Sequence, residues 1–211
     1  MAVAPNFTVL LLIGILFALI VLAFLCWRFG RADTLAFVVV TGGFTTVMDL
    51  ISSFVARNYE YPGKSPLWVA TFIFFGWIGV CGGCLLLAEG ILARPGRDML
   101  TQPRLWWQVP LLTGGVAVAL DLFADPVAVR AGYWVWLVPA TVYHGIPLLN
   151  YVGWFVLMFL APLAWILIAR NRRWGLWRKA MIAVAALPPL CVASVLLSLA
   201  LNGTIRAFGW Q

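Results

Sequence analysis

The chain has 211 residues, 64% of them hydrophobic and 10% charged, with a formal net charge of +7. With a mean hydropathy of +1.01, this composition excludes an ordinary soluble domain and marks an integral membrane protein. It also argues against a nucleic-acid binder, which needs its basic surface on a folded soluble domain.

A helix needs about 20 mainly apolar residues to cross the hydrocarbon. Six stretches qualify: 7–27, 34–56, 66–92, 105–124, 149–169 and 179–201. The expected fold class is therefore all-α, a polytopic bundle forming a single integral membrane domain over residues 1–211. The first stretch lacks a basic start and runs on to Cys26 and Trp27 without a small-residue cleavage pattern, so it is expected to be retained as a helix.

Lys and Arg concentrate in loops that stay on the cytoplasmic side. Arg28 and Arg31 follow the first stretch, Arg94, Arg97 and Arg104 the third, and Arg170, Arg172, Arg173, Arg178 and Lys179 the fifth. Only Arg57, Lys64, Arg130 and Arg206 fall on the other side. The expectation is an N-terminus facing outward in the cell membrane, with the loops after the second and fourth helices also outside. In "RNRRWGLWRK" the aromatic pair Trp174 and Trp177 reads as a headgroup anchor.

The four cysteines, Cys26, Cys81, Cys84 and Cys191, all lie in or beside apolar stretches. "CGGC" at 81–84 has the spacing of a redox or zinc pair, but it stands without a second pair. Its glycines also suit close helix packing, which is the preferred reading.

Two segments share a layout. The second helix carries Asp49, followed by "RNYEYPGKSPLW" and then "FFGW"; the fourth carries Asp121, followed by "RAGYWVW" and then "NYVGW". Read as parallel repeats, they would enclose a site between them, with Asp49 and Asp121 face to face.

A carboxylate at the centre of a span costs about 3 kcal/mol or more, so such residues turn to the bundle interior and carry function by default. Glu89 is near a basic loop and is expected to pair structurally with Arg94 or Arg97. Asp121 and Asp125 are four residues apart, on one helix face. Pro126 predicts that the helix stops at Asp125. Two neighbouring carboxyls at such an end disfavour each other's ionisation, so the pair is expected to hold a proton, unless Arg130 pairs with Asp125.

His144, the only histidine, has two readings: a hydrogen-bonded loop residue, or, with Tyr143 and Asn150, a holder of water near the acids. Tyr133, Trp134 and Trp136 read equally as interface anchors or as walls that stabilise a cation by about 0.5–2 kcal/mol each. Acid donor, aromatic walls and access from lipid together suit protonation of an alkene.

The pattern Asp121, Asp125-Pro126, Gly132-Tyr133-Trp134-Val135-Trp136, Tyr143, Gly145, Pro147, Asn150 and Gly153-Trp154 resembles the membrane carotenoid-biosynthesis family. That family includes carotenoid 1,2-hydratases of bacteria and bisanhydrobacterioruberin hydratases of archaea. "YEYPGKSPLW" is similar to its loop after the second helix, and Asp49 stands where the family is expected to carry glutamate.

The resemblance implies addition of water to the terminal double bond of a linear carotenoid, with no cofactor and no metal. Asp121 would be the acid, Asp125 its partner or the water-orienting base, and Asp49 the opposite wall. His144 and Asn150 would place water. Tyr59, Tyr61, Tyr133, Trp134, Trp136, Tyr143 and Trp154 would line the substrate site. A cyclase is the near neighbour, because the same cation closes a ring when an alkene captures it. A lipid or solute carrier and a non-catalytic membrane subunit are the alternatives from other classes. The expected partners are the lipophilic substrate, membrane lipid, other carotenoid enzymes or a second copy of the chain, and not nucleic acid.

Overall fold

The computed structural model describes residues 6–139 and 142–208. Six helices within it are long and apolar enough to cross a membrane: α1 (Phe7–Phe29), α2 (Arg31–Val55), α3 (Pro66–Leu92), α4 (Leu105–Arg130), α5 (Leu148–Ala169) and α6 (Leu176–Ala207). The protein is an all-α integral membrane protein. Leu12, Leu16, Leu196 and Leu199 are all exposed, because on the outside of α1 and α6 lipid takes the place of water.

Local chemistry sets the helix ends. The Asn6 side chain caps α1 by accepting from the Thr8 amide at 2.9 Å. Ser65 caps α3 from the Trp68 amide at 3.4 Å, with Pro66 at the first helical position. Gly30 alone separates α1 from α2, so the loop expected at 28–33 shrinks to one residue and Arg28 joins the last turn of α1. α2 is π-helical over Val38–Phe44 and Ile51–Val55, and Asp49 lies on the α-helical turn between these stretches.

α4 corrects an expectation. It runs through Pro126 to Arg130, so Asp121 and Asp125 lie inside the helix and not at its end. The stop comes at Gly132, whose φ of 71° is open to glycine. There the Gly132 amide bonds Val129 O and the Tyr133 amide bonds Ala128 O, both at 3.0 Å, which closes the helix in a Schellman motif. Pro126 withholds only one amide, and Ala128, packed with Phe7 and Tyr133, holds the last turn.

The loops after α2 and α4 meet at one end of the bundle. β1 (Tyr59–Glu60) and β2 (Val135–Trp136) pair antiparallel, Tyr59 opposite Trp136 and Glu60 opposite Val135. The Leu137 amide extends the ladder to Asn58 O at 2.8 Å.

Ion pairs tie the other, basic end together. Arg28 forks onto Glu89 at 2.6 and 2.9 Å, and the Met99 amide donates to Glu89 at 2.8 Å. Glu89 is thus structural, as expected, but its partner is Arg28 and not Arg94 or Arg97, because the ends of α1 and α3 lie side by side. Lys179 bonds the buried Asp33 and also Ala169 O, the latter at 3.0 Å, while Trp165 Nε1 donates to Asp33 O at 2.8 Å. Both members of the Lys179–Asp33 pair are satisfied, as burial of a charge requires.

The "CGGC" glycines work as packing residues. A Cβ on Gly82 would run into Val21 of α1, and one on Gly83 would sit 3.0 Å from Phe17. The bare face of α3 lets α1 approach closely, and Cys81 is buried in the core beside it.

Candidate active site

Each carboxyl group is held by donors from its own half of the chain. On α2, Asp49 receives the Tyr59 hydroxyl on Oδ1, with the Tyr61 hydroxyl at 3.5 Å, and Trp77 Nε1 on Oδ2 at 3.0 Å. The hydrogen bonds of Tyr59 and Tyr61 explain why this short loop folds back over the end of α2. On α4, Asp125 receives Trp134 Nε1 on Oδ1 at 2.7 Å. Asn150 of α5 uses both amide hydrogens, one to Asp121 Oδ2 at 2.5 Å and one to Asp125 Oδ2 at 2.9 Å. Among the described residues, the second oxygen of Asp121 is buried without a hydrogen-bond partner.

Tyr61 lies between the two halves. Its phenol is pushed well above its ordinary value, by burial first and then by the Asp49 and Asp125 charges. Tyr59 is raised as well, by burial and then by Asp49. Both phenols therefore stay protonated and act as donors to the carboxyl cluster. Arg130 does not pair with Asp125; its Nε donates to Pro126 O at 3.1 Å.

Two apolar chambers flank the cluster. The first, about 340 Å³, lies between α2, α5 and α6 and includes Asp49, Tyr59, Trp136 and Asn150 in its wall. The second, about 580 Å³, lies between α1, α3 and α4 and includes Asp121, Tyr61, Tyr133 and Trp134. Trp77 and Trp154 line both chambers, with ring centroids 4.7 Å apart. Asp49 and Asp121 therefore open on different chambers and do not face each other across one. Along the second chamber, Ile13, Phe123 and Val127 are more than half exposed, which opens it sideways to lipid.

Of the residues expected from the sequence, Asp49, Asp121, Asp125, Asn150, Tyr59, Tyr61, Tyr133, Trp134, Trp136 and Trp154 come together here. His144 and Tyr143 do not join the acids. Tyr143 and Ile146 bridge a tight turn that carries His144 and Gly145 at its exposed tip, with φ of 47° and 81°. The His144 ring packs on Tyr143, at 4.4 Å between centroids, and belongs to none of the hydrogen bonds of the cluster. Trp77 is a site residue that the sequence reasoning passed over. The signal was its place in "FFGW", matching Trp154 in "NYVGW". Among the described residues, no group of three or more His, Cys, Asp or Glu side chains is placed to hold a metal ion.

The chain is a six-helix membrane protein that sets three carboxyl groups, two of them buried, against apolar chambers. Over residues 7–209 the chain matches the model of the family described as carotenoid biosynthesis protein, and it belongs to that family. No curated protein and no solved structure matches it. Its role is in carotenoid biosynthesis.

Proposed function

We propose that this protein adds water across the terminal carbon–carbon double bond of a linear carotenoid. The observation that carries the reading is the free oxygen of Asp121, buried in the wall of an apolar chamber that opens to lipid. Every other carboxyl oxygen of the cluster already accepts a donor.

The polyene end enters the second chamber from the bilayer. Asp121 gives its proton to the alkene carbon that bears hydrogen, and the neighbouring carbon becomes a tertiary cation. Tyr133, Trp134 and the Trp77–Trp154 pair offer ring faces to that charge. Asp49 and Asp125, fixed by their donors, offer negative charge without reorganising. A water oxygen bonds to the cation, and its surplus proton returns to the carboxyl pair. One alkene and one water become one tertiary alcohol, with no change of redox state. In this arrangement the basic end faces the cytoplasm, and the hairpin of β1 and β2 faces outward.

Membranes carrying the protein, supplied with a pre-formed, unlabelled linear carotene and incubated in heavy water, test the reading. The expected product is a pigment heavier by one water, with one deuterium from the acid on the carbon next to the carbinol. A ring-closed pigment with that deuterium would move the assignment to the cyclase. No new pigment from any linear carotene would favour a carrier or subunit role.

A further inference from the structure

The two chambers differ in what their walls offer. Apart from Asp121, the second is almost wholly hydrocarbon and aromatic. The first carries Ser52, Asn58, Ser194 and Ser198 besides Asp49 and Asn150, and it reaches the exposed end of α2 at Ala56.

These polar groups are unusual where they stand. α6 is mostly lipid-facing, with 11% of its most apolar window buried, yet Ser194 on it is only 2% exposed. Neither Ser194 nor Ser198 places its hydroxyl in a hydrogen bond to another described residue. The Ser52 hydroxyl accepts from Asn58 at 3.0 Å. Asn150 spends both amide hydrogens on Asp121 and Asp125 and leaves its carbonyl oxygen for a donor from the chamber side.

We infer that the first chamber is the water site of the reaction, and that Ser194 and Ser198 decide whether the cation ends as an alcohol. A water held by these hydroxyls and donating to the Asn150 carbonyl is one residue away from both acids. It reaches the chamber from the membrane surface past Ala56 and Asn58, while the polyene occupies the other chamber. When no water is in place, the cation returns a proton from a neighbouring carbon to the carboxyl pair and leaves as an isomeric alkene, or an internal alkene closes a ring. Each outcome conserves atoms and electrons. The inference rests on the protonation step proposed above.

The double variant Ser194→Ala with Ser198→Ala tests it in heavy water, with the ratio of alcohol to deuterated, non-hydrated carotene as the readout. The alcohol share is expected to fall about tenfold, the scale of losing one hydrogen bond to the captured water. Deuterium should still enter the carotene, because the acid is untouched. Ser194→Thr with Ser198→Thr keeps both hydroxyls and is expected to restore the wild-type ratio. Even if the protein is less abundant, the ratio is read within one sample and does not depend on yield. An unchanged ratio in the alanine pair overturns the assignment, and so does a fall that the threonine pair fails to restore. A wild-type protein that neither hydrates any linear carotene nor deuterates one removes the protonation reading itself, and this inference with it.

Discussion

Asp121 has one oxygen tied to Asn150 and one with no partner among the described residues, although only 1% of the residue is exposed. Leaving a buried polar atom unpaired costs about 1–3 kcal/mol, so it calls for a role. With the proton-transfer role, Asp121→Asn keeps size and polarity and removes the acid. Conversion should then fall by about 10²-fold or more, with the protein still folded in the membrane. Pigment analysis set against protein level checks this, and an active variant would remove Asp121 from the mechanism. Much of the site was legible at this scale, because a carboxylate in a span or an Asp four residues from another stands out against hydrocarbon. His144 was legible only as a chemical type. Its place at the tip of a left-handed turn is a matter of backbone path, which its neighbours Tyr143 and Gly145 do not reveal by composition. Ser194 and Ser198 carried no signal at all, since serine in an apolar helix is ordinary until a chamber is seen beside it.

At the scale of elements, the six spans follow from hydropathy alone, while their junctions depend on single residues. Pro126 reads as a stop, but the actual stop is the Gly132 closure. The β1–β2 pairing was hidden because two residues per strand give no periodicity, although "YEY" and "WVW" both place an aromatic at every second position. Packing of α1 on α3 depends on the glycine face, where Gly82 abuts Val21. Gly82→Ala should destabilise the protein by about 1–3 kcal/mol, the range for overpacking a filled interface. Gly90→Ala, on the same helix with open space around it, should be neutral or slightly stabilising. Thermal unfolding of the two variants in detergent compares them directly, and equal midpoints would show that the close approach is not needed.

Across the whole molecule, the ion-paired basic end and the aromatic hairpin end divide the protein along the membrane normal. In the proposed orientation the basic end faces the cytoplasm. Single cysteines at Gly63 and Ala131, in a background without the native four, should react with an impermeant thiol reagent in sealed cells, and one at Arg172 should not. The opposite labelling pattern would invert the orientation. The pairing of donors with acids also bears on biogenesis. Asp49 draws on Tyr59, Tyr61 and Trp77, all within α2, its loop and α3. Asp121 and Asp125 draw on Trp134 and Asn150, all within α4, its loop and α5. Each helical hairpin therefore carries the donors of its own site carboxyls, while Glu89 and Asp33 find theirs on other helices. Two-residue strands are too short to drive association, so the β1–β2 clip records the docking of two finished units. On that order of events, the cleft between the two halves would come into being only when the hairpins dock, after insertion.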